Sequence, residues 1–214
     1  MRLRRKAGVG EKIREYGAVL AEPRAGGGWH EAFGRPAPLW VELGTGKGRF
    51  ISELASREPG VNLVGIEAQL DVLYQAAKKV AAQGVTNVRL LHFDAACLPA
   101  VFAPGEIDRL YINFCDPWPK KRHAKRRLTN RRFLARYREV VRPGGRLCFK
   151  TDNAAFFAFS LEEFAAAGLT VVSITRDLHA DEPQDNIMTE YEAKFRALGV
   201  KICRCEAVFG PQVM

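Results

Sequence analysis

The sequence predicts an α/β fold, a mostly parallel sheet covered by helices on both faces, and three observations carry that prediction. Short apolar runs alternate with stretches of helical periodicity through at least five units. The chain of 214 residues, 47% of them apolar, is the size of one domain with a full core. Neither a repeat nor a low-complexity tract interrupts it, and no window approaches the roughly 18 apolar residues that would span a membrane.

Each element follows in order. "LWVEL" (39–43) and "NLVGIE" (62–67) are apolar runs of strand length. Between them, "RFISELASRE" spaces Phe50, Ile51, Leu54 and Ala55 as one helical face. "QLDVLYQAAKKVAAQG" does the same with Leu70, Leu73, Ala77 and Val80, and stops at Gly84, a helix-terminating residue. "VRLLHFD" and "IDRLYINF" read as strands, "RRFLARYREVV" as helix, "GRLCFKTD" as strand. The chain then runs helix ("AAFFAFSLEEFAAAG"), strand ("LTVVSITRDL"), helix ("TEYEAKFRALG") and strand ("VKICRCEAVF"). Residues 1–38 are expected to form a basic, irregular lead-in, least regular over 24–38, where "AGGG" and two prolines fall. Residues 39–214 form the domain proper, with a polar and mobile loop expected over 177–188.

The formal charge is +9, and its placement matters more than its size. Residues 120–138 hold ten Lys/Arg and no Asp/Glu, leaving 23 basic against 24 acidic residues elsewhere. A focused positive patch on a near-neutral body suits a polyanionic partner, whereas a merely solvated helix face mixes signs. A smaller basic cluster is "MRLRRK". The five cysteines form no C-x-x-C and no zinc spacing with His, so no metal is expected. Their odd number, with no signal peptide, points to reduced thiols in a cytoplasm.

In an open α/β sheet, ligands bind beyond the carboxyl ends of the strands. "ELGTGKGRF" places Gly44, Gly46 and Gly48 there, between strand and helix. A dinucleotide fingerprint needs glycine where Arg49 stands. The G-x-G-x-G variant instead suits close backbone approach to an adenosyl and amino-acid moiety. Glu67 closes the second strand, placed to accept from both ribose hydroxyls. Asp94 closes the third, within reach of an adenine amine, although a strand-end acid is also a common N-cap. Glu42 ends a buried strand, where a carboxylate is costly without a partner; a methyl donor's amino or sulfonium group offers one. Together these residues point to S-adenosylmethionine as cofactor.

"DPWPKKRHAKRR" (116–127), "KTDN" (150–153) and "TEYEAKFRALGVKI" (189–202) are the most specific segments. On them the sequence resembles, over residues 39–209, the bacterial tRNA (guanine-N7-)-methyltransferases. The resemblance implies a Rossmann-like class I methyltransferase fold, with a mostly parallel seven-stranded sheet and an antiparallel C-terminal strand. It implies that Glu42, Glu67, Asp94 and Asp116 contact S-adenosylmethionine, with Asp116 the active-site acid. Lys120, Asp152, Thr189, Glu190, Tyr191 and Glu192 would contact substrate. Arg122, His123, Ala124, Lys125, Arg126 and Arg127 would contact RNA. The partner implied is tRNA, methylated on a variable-loop guanine by a monomer or homodimer, with no membrane involved.

The chemistry agrees. Guanine N7 is already a nucleophile, so catalysis reduces to alignment and to stabilising the positive charge that spreads over the purine. A carboxylate at position 116 would do the second, and the cations after it would hold phosphates. Local readings stay open beside these. "TEYE" is a capping-box pattern, Asp152 could cap a helix, and Trp118 could support the base or pack the loop. Two other functions share the pattern, a methyltransferase of the same fold acting on another RNA base atom and a non-catalytic RNA-binding protein.

Overall fold

The computed structural model describes residues 8–180 and 182–210. Helix α1 (Val9–Lys12), β1 (Leu20–Ala21) and α2 (Trp29–Phe33) precede β2 (Leu39–Leu43), α3 (Arg49–Arg57), β3 (Asn62–Glu67), α4 (Leu70–Ala82) and β4 (Val88–His92). Then come β5 (Ile107–Asn113), α5 (Arg131–Val140), β6 (Val141–Thr151), α6 (Ala154–Ala166), β7 (Leu169–Thr175), α7 (Glu190–Ala197) and β8 (Cys203–Phe209). The sheet order is β1-β4-β3-β2-β5-β6-β8-β7. Pairings from β1 to β6 are parallel, and β8 runs antiparallel between β6 and β7. This is the expected parallel sheet with its antiparallel last strand, extended by the two-residue edge strand β1.

Side chains alternate across the sheet, so β2 sends Leu39, Val41 and Leu43 to one core. That core is completed by the Phe149, Phe156, Phe157 and Phe164 cluster. The other face packs α3 and α4 through Phe50, Ile51, Leu54, Leu73, Ala77 and Val80, the residues whose helical spacing predicted it. On this second face, polar residues collect at the strand ends. Glu42 sits opposite Tyr111 in the β2–β5 pairing, and Asn113 opposite Lys150 in the β5–β6 pairing.

The lead-in departs from expectation where it meets the core. Residues 24–38, read as irregular, contain α2, whose Trp29 is fully buried. Its indole stacks on Phe102 and donates to the Val101 carbonyl at 2.8 Å. Glu106 accepts from the Gly28 and Trp29 amides at 3.0 and 2.8 Å, satisfying the helix start from 77 residues away. The segment "MRLRRK" lies outside the described residues. Among the described residues no helix is long and apolar enough to cross a membrane.

Candidate active site

The strand ends of β2 and β5 open onto a cleft of about 420 Å³ lined by Glu42, Gly44, Gly46, Phe50, Asn113 and Phe114, with Thr189, Glu190 and Tyr191 also on its wall. Gly44 and Gly46 have φ of 75° and 60°, the left-handed region only glycine enters freely, and neither is crowded. Gly48, at φ 81°, has a separate duty: a Cβ there would lie 2.8 Å from Ala76 on α4. It lets α3 and α4 approach and does not line the cleft.

Glu42 is 3% exposed. Its Oε1 accepts from Asn113 Nδ2 at 3.0 Å, and its buried Oε2 has no partner among the described residues. Burial raises its carboxyl to about 8, against the smaller opposing effects of the Asn113 bond and the Lys150 charge. An unpartnered buried acid at a glycine turn fits a ligand ammonium, so the residues present suit S-adenosylmethionine. Glu67 does not line the cleft itself but supports the turn that does. Its two oxygens accept from the Gly46 amide at 3.1 Å and the Gln69 amide at 3.0 Å. Burial raises its carboxyl while those bonds oppose the rise. Asp94 is exposed two residues beyond β4 and caps a 3-10 turn through the Ala96 amide at 2.8 Å, as the N-cap alternative anticipated.

Sequence reasoning missed Asn113, which reads as one more residue of a buried strand. Its clue was an amide in the apolar run "IDRLYINF" immediately before the acid-bearing turn. Asn113 is buried beside Glu42, and its Oδ1 has no partner among the described residues.

The turn after β5 carries Asp116 outward. Phe114 and Trp118 flank it with φ of 51° and 41°, unusual for residues with side chains. Asp116 is exposed and makes no hydrogen bond or ion pair with any of the described residues. Asp152, after β6, is half-exposed and likewise open; the α6 cap is its neighbour Asn153, whose Oδ1 accepts from Phe156 N at 2.8 Å. Trp118 packs between His123 (5.8 Å, edge-on) and the Arg126 guanidinium (5.0 Å), which favours loop packing over base support.

The basic run divides in two. Lys120, Lys121, Arg122, Lys125 and Arg126 are exposed on and before a 3-10 helix (Lys121–Arg126), with His123 and Ala124 half-buried among them. None of these cations forms an ion pair among the described residues. Three of the later ones bond to the protein itself. Arg127 donates to the Pro117 and Trp118 carbonyls, Arg131 forks onto Glu163, and Arg136 donates to the Ala96 carbonyl. Arg127 is half-buried and spends two of its donors on the turn that carries Asp116.

Helix α7 begins as "TEYE" predicts. Thr189 Oγ1 accepts from the Glu192 amide at 2.9 Å, and Gly199 ends the helix at φ 69°. The reciprocal half of the capping box is absent. Glu192, implied to contact substrate, is fully buried and pairs instead with Lys150 Nζ at 2.9 Å. Lys150 also donates to Asn186 Oδ1 and the Ile187 carbonyl, tying the 177–188 segment to the sheet. Burial lowers its ammonium, which Glu192 partly offsets. Glu190 pairs with Lys79 of α4, so the α7 start bridges the cleft, and Tyr191 stands 53% exposed beside Phe114. His179, Glu182 and Glu192 lie close enough to share a cation, but Lys150 and Arg196 already neutralise the two carboxylates.

A parallel sheet with one antiparallel strand, and a glycine turn facing acids on successive strand ends, is the architecture of class I methyltransferases. An antibiotic-related methyltransferase has this fold at TM-score 0.63 and 20% identity, over 84% of this chain and 90% of that one. The 16S rRNA (adenine(1408)-N(1))-methyltransferase of Catenulisporales acidiphilia has it at TM-score 0.61 and 19% identity, over 87% and 92%. A family model described as "Putative methyltransferase" matches residues 36–205. A relative from Geobacillus kaustophilus is 49% identical over 99% of both chains, and one from Streptococcus thermophilus is 44% identical over 98% of this chain and 99% of its own. Both are named tRNA (guanine-N(7)-)-methyltransferase, as is one from Bacillus velezensis, 46% identical over 96% of each. The chain belongs to the tRNA (guanine-N7-)-methyltransferase family.

Proposed function

We propose that the protein transfers the methyl group of S-adenosylmethionine to N7 of a guanine in tRNA, the variable-loop guanine conventionally numbered 46, in the cytoplasm. One observation carries the reading beyond family membership. A single sheet edge carries Glu42, buried with one oxygen unpartnered, and Asp116, exposed and followed by five exposed cations.

Bound S-adenosylmethionine supplies an electrophilic methyl sulfonium. Guanine N7 offers an in-plane lone pair and loses no proton, so no side chain has to act as general base. The chain's task is placement. Glu42 takes the ammonium, and the glycine turn, held by Glu67, lets the backbone come close. Asp116 accepts from guanine N1–H and the exocyclic amine, bonds that strengthen as the purine becomes cationic. Lys120, four residues after that acid, and Asp152, after the neighbouring strand β6, contact the substrate with Thr189, Glu190 and Tyr191 of the cleft wall. The exposed cations from Lys121 to Arg126 hold phosphates.

The test is incubation with tRNA and methyl-labelled S-adenosylmethionine, followed by nucleoside analysis. Label in 7-methylguanosine is expected. Label on an adenine or an exocyclic amine would overturn the assignment of the atom, and tRNA binding without any label would support the non-catalytic alternative.

A further inference from the structure

We infer that Arg127 is a positioning residue that holds the Asp116 turn in place and does not contact an RNA phosphate. Its Nε donates to the Pro117 carbonyl at 2.8 Å and its Nη2 to the Trp118 carbonyl at 3.1 Å, so two donors of the fork grip the two residues after the acid. The guanidinium lies over the Phe159 ring at 4.2 Å and near Phe156 at 5.8 Å, both on α6. Arg127 thus ties the turn to the hydrophobic core.

The turn needs such a tie. Phe114 and Trp118 hold left-handed backbone on either side of Asp116, and residues in that region persist only where surrounding contacts over-determine them. The Trp118 carbonyl is itself one of Arg127's acceptors. Lys125, two residues earlier, has none of these contacts and is exposed. Arginine is required here because a planar fork can bond two carbonyls while stacking on a ring, which a lysine ammonium cannot do. The basic run is therefore two devices in sequence, an outward surface for phosphates and an inward clamp at its base.

The kinetic part of this inference rests on the reaction proposed above; its structural part does not. The experiment compares Arg127→Ala, Arg127→Lys and Lys125→Ala with wild type. It measures hydrogen exchange of the 114–121 peptide, the single-turnover methylation rate at saturating tRNA, and the salt dependence of tRNA affinity. Both Arg127 variants are expected to exchange faster in that peptide and to slow the chemical step by about 10- to 100-fold, the scale of a misplaced catalytic group. Their salt slope stays at the wild-type value, whereas Lys125→Ala lowers it by about one. Should Arg127→Ala fail to fold, Arg127→Lys and Phe159→Leu carry the test, the latter with a smaller change in the same direction. A salt slope lowered by Arg127→Ala and restored by Arg127→Lys would make Arg127 a phosphate contact and overturn the inference. Unchanged exchange across 114–121 would also overturn it, and it does so even if wild type proves to methylate a different atom.

Discussion

At the ends of β2 and β3, Glu42 and Glu67 are 3% and 9% exposed, and both accept hydrogen bonds from the protein. Beyond β5 and β6, Asp116 is exposed and Asp152 half-exposed, and neither bonds to any side chain or backbone among the described residues. The same sheet edge therefore holds its acids in two ways. On the proposed cofactor side the acids are already bonded within the protein, and one buried oxygen of Glu42 has no partner among the described residues. On the substrate side we propose, Asp116 stands on a turn held by Arg127 and Asp152 follows the neighbouring strand, both left to bond a base that phosphate contacts would deliver. Small, invariant ligands suit a preformed pocket, whereas a folded RNA has to be positioned by a broad charged surface.

The largest effect that would sharpen this contrast comes from Asp116→Asn. Shape is kept and charge removed, so the single-turnover rate should fall about 10²-fold or more while tRNA affinity, dominated by phosphates, stays within a few-fold. A near wild-type rate would remove the stabilisation of developing charge from Asp116.

Next comes Glu42→Gln, which addresses the buried side. Below pH 4.5 both folded and unfolded chains hold the Glu42 proton; between 4.5 and about 8 only the folded chain does. Its contribution to stability is therefore lost as pH rises toward 8, and glutamine has no such loss. Urea unfolding of the cofactor-free protein should show the variant gaining about 2–3 kcal/mol on wild type between pH 6 and 8. Calorimetry in two buffers at pH 7 should further show that wild type releases a proton when S-adenosylmethionine binds and the variant does not. A pH-independent stability gap would mean that Glu42 is ionised without ligand.

Glu67→Ala should weaken S-adenosylmethionine by about 1–3 kcal/mol, because the Gly46 and Gln69 amides that shape the glycine turn lose their acceptor. Titration calorimetry reads this directly, and an unchanged Kd would take Glu67 out of the site. The smallest effect belongs to the outward surface. Arg126→Ala should lower the salt slope of tRNA binding by about one and leave cofactor affinity alone. An unaltered slope would make the exposed run a solvated face.

Most of the fold was legible because long helices and strands announce themselves by period. The α4 stripe of Leu73, Ala77 and Val80 is buried as its spacing required. What escaped was short or non-local. Strand β1 has two residues and no period to read, and α2 hides behind three glycines and is fixed by Glu106. At the site, the glycine turn and its acids were visible as residue types at strand ends. The direction of a side chain was not. Charge counting could not separate Arg127 from Arg126, nor could the capping pattern show that Glu192 turns to Lys150, 42 residues earlier. Those outcomes depend on which elements become neighbours.

The three glycines of the turn obey different constraints, though one pattern describes them all. Gly44 and Gly46 have open space where a Cβ would be, while Gly48 is pressed against Ala76. A side chain at the first two meets an unfavourable backbone angle and the ligand's room; at the third it also pushes two helices apart. A search that weighs the three letters equally therefore mixes a record of ligand binding with a record of helix packing. A distant relative could lose the third glycine by widening that helix contact and still hold its methyl donor.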